Sequence, residues 1–240
     1  MIARPHIYAD RRDAGRKLAA ALRDYVDQDP LVLALPRGGV PVAYEVAVEL
    51  VAPLDLLFVR KIGAPGHPEL GLGAVVDGAD PQVVMNPEVE RMVEPRPGYV
   101  EEQIRRELVE IERRREAYLG GRRPTPVRDR TVLLIDDGVA TGGTVRAALQ
   151  GLRTAQASRV VLGLPVGPPD VVASLGEDAD EVVCLLTPQP FYAVGLWYGD
   201  FTQTTDAEVV GLLAEAERAT GGRNEDRRGD DAQSAGNRPA

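Results

Sequence analysis

The chain has 240 residues, of which 44% are hydrophobic, 27% charged and 5% aromatic, a composition that suits one or two globular domains and excludes a fibre, a mini-protein and a wholly disordered polymer. Its 37 acidic and 28 basic residues leave a formal net charge of −9, a field that repels phosphate polymers, so no general nucleic-acid partner is expected. No apolar run approaches the roughly 20 residues that cross a bilayer, and the opening MIARPHIYADRRDAGRK is too polar for a secretory leader, so no membrane partner and a cytoplasmic location are expected.

Apolar residues at 14, 18, 21, 22, 25 and 26 recur at helical spacing after Asp10, a ready N-cap. Pro30 ends that segment, and LVLAL (31–35) follows as a short, continuous apolar run of the kind that forms a parallel strand buried on both faces. PRGG then turns the chain into a predicted helix over 41–51. LDLLFV (54–59) reads as a second strand, 60–71 as a long loop rich in Gly and Pro, and LGAVV and QVVM as two short strands. Between 98 and 119, Val100, Ile104, Leu108 and Ile111 form one stripe on a long helix otherwise covered by Glu and Arg. That stripe is expected to lie on its own domain, with docking on a second subunit as the alternative.

Strand and helix then alternate: TVLLID (131–136), a Gly-rich turn, a helix over 144–154, RVVLGLPV (159–166), a short helix near 169–175 and EVVCLL (181–186). This rhythm predicts an α/β fold with one doubly wound, mainly parallel sheet. The lone cysteine, Cys184, falls inside an apolar run, so neither a disulfide framework nor a cysteine zinc site is expected. A segment rich in aromatics (187–201) leads to an amphipathic helix from Asp206 to about Ala219. Residues 1–220 are read as one domain and 221–240, which offer nothing to bury, as a disordered tail.

The stretch VLLIDDGVATGGT (132–144) carries the most chemistry. A buried strand delivers Asp136 and Asp137 to its carboxyl end, where open α/β sheets bind ligands, and small residues let the backbone N–H groups of 138–144 close round a phosphate at a helix N-terminus. Thr141 and Thr144 add hydroxyl donors. Two carboxylates beside such a cradle suit hydrogen bonds from sugar hydroxyls, or a hydrated cation. A triphosphate P-loop is excluded because Gly142-Gly143-Thr144 lacks its lysine, and Asp136-Asp137-Gly138 does not supply the Asp-x-Asp of a phosphoaspartyl phosphatase.

This 13-residue stretch resembles the signature for 5-phosphoribosyl 1-pyrophosphate (PRPP) in the type I phosphoribosyltransferase family, and the resemblance extends over about residues 10–215. It implies that family's fold with a small C-terminal hood, here with an extra long surface helix at 98–119. It implies transfer of the phosphoribosyl group from PRPP to a nitrogenous base with Mg²⁺, and a homodimer; the alternative on the same fold is a regulator that senses PRPP or a nucleotide. Carried over residue by residue, Gly138, Val139, Ala140, Thr141, Gly142, Gly143 and Thr144 would take the 5′-phosphate. Asp136 and Asp137 would take the ribose hydroxyls and hold the metal through water. Leu35-Pro36-Arg37-Gly38-Gly39 is similar to the pyrophosphate loop, with Arg37, Gly38 and Gly39 as contacts and a cis peptide at Pro36-Arg37. RKIGAPGHPELG (60–71) resembles the mobile catalytic loop, with Arg60 and Lys61 toward pyrophosphate; Ala64 stands near the place where the orotate branch has a second lysine. Phe191, Tyr192, Trp197 and Tyr198 would form the acceptor hood, with stacking on a flat heterocycle as their physical role and packing as the alternative. Ala140 stands where enzymes acting on 6-oxopurines have an acidic residue, which makes hypoxanthine and guanine less favoured acceptors.

Overall fold

In the computed structural model, which describes the backbone of residues 7–235 and side chains as far as Gly221, the chain runs α1 (Arg11–Ala21), β1 (Leu31–Ala34), α2 (Gly39–Leu50), β2 (Leu54–Leu56), β3 (Val59–Ala64), β4 (His67–Val76), β5 (Gln82–Met85), α3 (Pro87–Val93), α4 (Tyr99–Leu119), β6 (Thr131–Ile135), α5 (Gly143–Thr154), β7 (Arg159–Val166), α6 (Pro169–Leu175), β8 (Glu181–Leu186) and α7 (Asp206–Ala235). Five strands form a parallel sheet in the order β2-β1-β6-β7-β8. Alternate residues of its central strands feed opposite cores. Val32, Ala34, Leu133 and Ile135 pack with α1, α2 and α7, whereas Leu31, Leu33, Val132 and Leu134 pack with α5. Burial on both faces explains why these strands read as unbroken apolar runs. Asp10 caps α1 by accepting from the Asp13 N–H.

β3, β4 and β5 make a separate antiparallel sheet. This corrects the expectation of a long irregular loop at 60–71. Pro65 and Gly66 form only the turn, and Ala64 pairs with His67 across it. Pro68 is accommodated in β4 because β5 pairs only from Gly73 onward, so the missing N–H lies on an open edge. Counting Gly and Pro as loop signals hid the apolar set Ile62, Ala64 and Leu72, all of which are buried. α3 escaped notice although Asn86, followed by Pro at the first helical position, accepts from the N–H groups of Glu88 and Val89.

The stripe of α4 docks on its own chain: Ile111 is buried in the first core, with Val100, Ile104 and Leu108 packed against it. Ion pairs hold the helix down. Arg60 Nε lies 2.7 Å from Glu107 Oε2, and the buried Arg115 pairs with Asp77 and stands 3.9 Å from Asp55. Burial pushes the Asp77 carboxyl up, and Arg115 opposes that shift. α7 runs past the expected end near Ala219, because a helix already nucleated by a packed turn extends with one hydrogen bond per added residue. Its backbone therefore departs from the expected tail over 221–235, and residues 236–240 lie outside the described residues.

These contacts set two expectations for stability. Arg115→Ala leaves Asp77 buried without its cation, while Asp55 keeps Arg122 at 3.5 Å, and is expected to lower the unfolding free energy by about 3–5 kcal/mol in urea titrations. Burial, followed by Glu181, pushes the Tyr25 phenol up to about 12, and burial does the same for Tyr8. Both groups thus stabilise the fold fully below the ordinary value of 10.0 and lose that contribution as pH rises to about 12. Urea midpoints are expected to fall across that window, and less steeply in Tyr25→Phe.

Candidate functional site

The parallel register sets Ala34 beside Ile135, so the turns after β1 and β6 leave the sheet side by side. The Leu35 N–H donates to the Ile135 carbonyl at 3.0 Å, extending the ladder one step beyond the strand. The first turn carries the cis peptide Pro36–Arg37 and runs into α2, whose N-cap is Gly38. The second runs into α5, whose N-cap is Gly142 at φ 78°. Neither helix has a side-chain cap. Two uncapped N-termini on adjoining strands concentrate backbone N–H donors and the positive ends of two helix dipoles at one edge of the sheet.

The two turns fit against each other only through glycine. A Cβ on Gly38 would collide with the Asp137 carboxylate, and one on Gly39 would stand 2.8 Å from the Ile135 carbonyl oxygen and 3.0 Å from the Asp136 Cα. Gly138 has φ 152°, and a Cβ there would meet Val194 at 2.6 Å.

The acidic pair has two different environments. Asp137 Oδ2 accepts from Arg11 Nε at 2.7 Å, with both side chains largely buried. Arg11 also donates through Nη1 to the Thr202 carbonyl at 2.7 Å, and its guanidinium lies 3.9 Å from the centre of the Phe201 ring. The Tyr198 hydroxyl donates to the Asp137 carbonyl at 2.5 Å. Asp136 Oδ1 accepts the N–H of Asp137 at 2.9 Å. Burial, then repulsion from Asp137, drives the Asp136 carboxyl well above its ordinary range; Asp137 is raised by burial against the opposing pull of Arg11. Burial, then Asp137, also pushes the Tyr198 phenol up.

The expected residues divide accordingly. Arg37, Gly38, Gly39, Asp136, Asp137 and the stretch from Ala140 to Thr144 converge on this edge, with Ala140, Thr141, Gly143 and Thr144 exposed. Val139 does not serve as expected: its side chain is buried, and its N–H donates to the Val166 carbonyl at 3.0 Å. Arg60 and Lys61 stand in β3, where Glu107 holds the first and Glu69 the second at 3.3 Å, so among the described contacts neither meets the acidic pair. Trp197 and Tyr198 are buried, in a cluster with Tyr8 and Val166. For these two the alternative, packing, is what the structure shows, while Phe191 is half-buried and Tyr192 is 71% exposed. Arg37 Nη1 approaches Asp206 Oδ1 at 3.2 Å, and the Tyr118 hydroxyl donates to that same oxygen at 2.8 Å. The Tyr118 hydrogen bond is the main reason the Asp206 carboxyl is lowered.

Arg11, Tyr118 and Asp206 had no signal in the sequence. Arg11 sits beside Arg12, which pairs with Glu45 instead, and nothing local separates the two.

The phosphoribosyl transferase domain family matches residues 6–186. The chain belongs to that family. It is 48% identical over 212 residues to a Mycobacterium tuberculosis H37Rv protein named "Putative phosphoribosyl transferase", a match covering 88% of this chain and 47% of that one. The relative in strain CDC 1551 gives the same figures, so this chain spans about half the length of the curated relatives it matches. Among solved structures it is similar to the protein TT1426 from Thermus thermophilus, with 43% identity and a TM-score of 0.76, over 87% of this chain and 98% of that one. The family's fold is thus present as expected, with a mainly parallel five-stranded sheet and flanking helices. The family match ends before Tyr198, Phe201 and Thr202, whereas the 212-residue match to the mycobacterial relatives runs past residue 186.

Gly39→Ala tests the fit between the two turns. It is expected to lower stability by about 1–3 kcal/mol through overpacking against the Ile135 carbonyl, read as a fall in Tm.

Proposed function

We propose that the protein transfers the 5-phosphoribosyl group of PRPP to a nitrogenous base and releases pyrophosphate. The observation that carries this reading is the convergence of two uncapped helix N-termini on one acidic pair. A donor with a phosphate at one end, a pyrophosphate at the other and hydroxyls between them matches that order of groups. On this reading the exposed N–H groups and hydroxyls from Ala140 to Thr144 hold the 5′-phosphate. The turn at Arg37, Gly38 and Gly39 holds the pyrophosphate, with Arg37 as its cation. The bond from the anomeric carbon to pyrophosphate breaks, a bond to the base nitrogen forms, and the base gives up a proton. Positioning and charge stabilisation of the leaving group supply the rate enhancement.

The described residues include no cluster of three or more His, Cys, Asp or Glu side chains able to hold a metal ion, and Arg11 occupies one of the two carboxylates. That donor set does not fit a direct protein chelate. It would suit a hydrated Mg²⁺ that arrives with the donor, toward which the Asp136 carboxylate would accept hydrogen bonds. When bound, the ion would neutralise charge on the departing pyrophosphate. The acceptor sits toward Phe191 and Tyr192, and a homodimer on this reading uses a surface other than the α4 stripe.

A second reading, a regulator that senses PRPP or a nucleotide, is favoured by one observation. The segment expected to close over the donor is folded into a hairpin, with Arg60 and Lys61 paired to Glu107 and Glu69.

Titration calorimetry with PRPP and Mg²⁺, followed by a pyrophosphate-release assay with a panel of bases, tests both readings. Binding with release triggered by a base supports the transferase. Binding without release supports the sensor, and no binding by folded protein overturns both. Asp136→Asn is expected to weaken PRPP binding by about 30-fold or more, the scale of losing hydrogen bonds to a charged acceptor.

A further inference from the structure

The acidic pair is not two equivalent carboxylates. Asp137 is gripped from three sides: Arg11 holds its carboxylate at 2.7 Å, Tyr198 holds its carbonyl at 2.5 Å, and Gly38 packs against its side chain. Arg11 is itself fixed by the Thr202 carbonyl and the Phe201 ring, and its side chain is only 11% exposed. A guanidinium bound to a carboxylate, a carbonyl and an aromatic face has no freedom to swing toward a substrate. Asp136 differs: its carboxylate accepts only the Asp137 N–H among the described residues, through Oδ1, so Oδ2 keeps its capacity for a ligand donor.

We propose that Arg11 is a positioning residue that commits Asp137 to the protein, leaving Asp136 alone to accept the ribose hydroxyls of the phosphoribosyl donor. The proposal rests on the PRPP reading above and assigns unequal roles within it. Physically, the division answers a charge problem. Two free carboxylates would repel a donor that carries a phosphate and a pyrophosphate; with Arg11 in place the cluster of three side chains carries one formal negative charge. The arginine also fixes the direction of Asp136, because the N–H that orients the Asp136 carboxylate belongs to the residue that Arg11 anchors. Lysine at position 11 would keep the charge and lose the fork geometry.

The experiment is calorimetry with PRPP and Mg²⁺, and separately with inorganic pyrophosphate and Mg²⁺. The proteins are the wild type, Arg11→Gln, Arg11→Lys, Asp136→Asn, Asp137→Asn and the double variant Arg11→Gln/Asp137→Asn, each checked for a cooperative melt. The expected result is loss of about 30-fold or more in PRPP affinity for Asp136→Asn. About 10-fold is expected for Arg11→Gln, with partial recovery in Arg11→Lys, and the double variant no weaker than Arg11→Gln. Pyrophosphate affinity is expected to stay within about two-fold in Asp136→Asn and to fall by clearly less than PRPP affinity in Arg11→Gln, where the cluster gains one negative charge but no ribose contact is at stake; a general collapse of the site would not allow this. Asp137→Asn as damaging as Asp136→Asn, together with a harmless Arg11→Gln, would overturn the division of roles while leaving the PRPP reading intact. Pyrophosphate affinity falling in step with PRPP affinity would reduce Arg11 to a general scaffold and overturn the proposal. A folded wild type that binds no PRPP removes the reading itself, and the inference with it.

Discussion

Everything at the candidate site depends on the parallel pairing of β1 with β6. That register brings two strand ends level, so two turns and two helix starts leave the sheet at one place. Neither turn has a side-chain cap, and each is shaped to the other through glycines that leave no room for a Cβ. Electrostatics follows from backbone geometry: two helix N-termini put positive partial charge at this edge before any charged side chain is counted. Shifting either strand by one residue would reverse which side chains face each core and would separate the turns.

The acidic pair sets a second condition. Two buried neighbouring carboxylates need compensation, and it comes from outside the two turns, through Arg11 of α1 and the segment after β8. Aromatic residues contribute by packing: Tyr198 lies between Tyr8 and Phe201, with ring centres 5.3 Å and 5.0 Å away, and its hydroxyl is spent on Asp137. Arg37 is treated similarly, sharing one oxygen of Asp206 with Tyr118. The inserted helix thus reaches the site through its last turn.

The central strands and the signature turn were legible in the sequence because their signals are local. LVLAL and TVLLID are runs too apolar for any exposed position, and Asp136 to Thr144 is contiguous. The β3–β4 hairpin was not legible, since Pro65 and Gly66 dominated the reading and the alternation of Ile62 and Ala64 was brief. The aromatic window was legible as a cluster but not in its orientation; burial of Trp197 and Tyr198 follows from contacts with residues near 8 and 166. Arg11, Tyr118 and Asp206 act through partners 88 to 169 positions away, a distance over which periodicity and spacing carry no information. The inward turn of Val139 was hidden for the opposite reason: membership of a contiguous motif does not say which members face the core.

The clamp on Asp137 has a consequence for biogenesis. Its parts come from residue 11 and from residues 198–202, so the signature turn can be synthesised, and its strand paired with β1, well before the last of the groups that fix it exist. A chain still short of Thr202 on the ribosome already has Arg11 to pair with Asp137, but lacks the Tyr198 hydroxyl, the Phe201 ring and the Thr202 carbonyl that hold the pair in place. The complete clamp on Asp137 is therefore among the last features that the growing chain acquires.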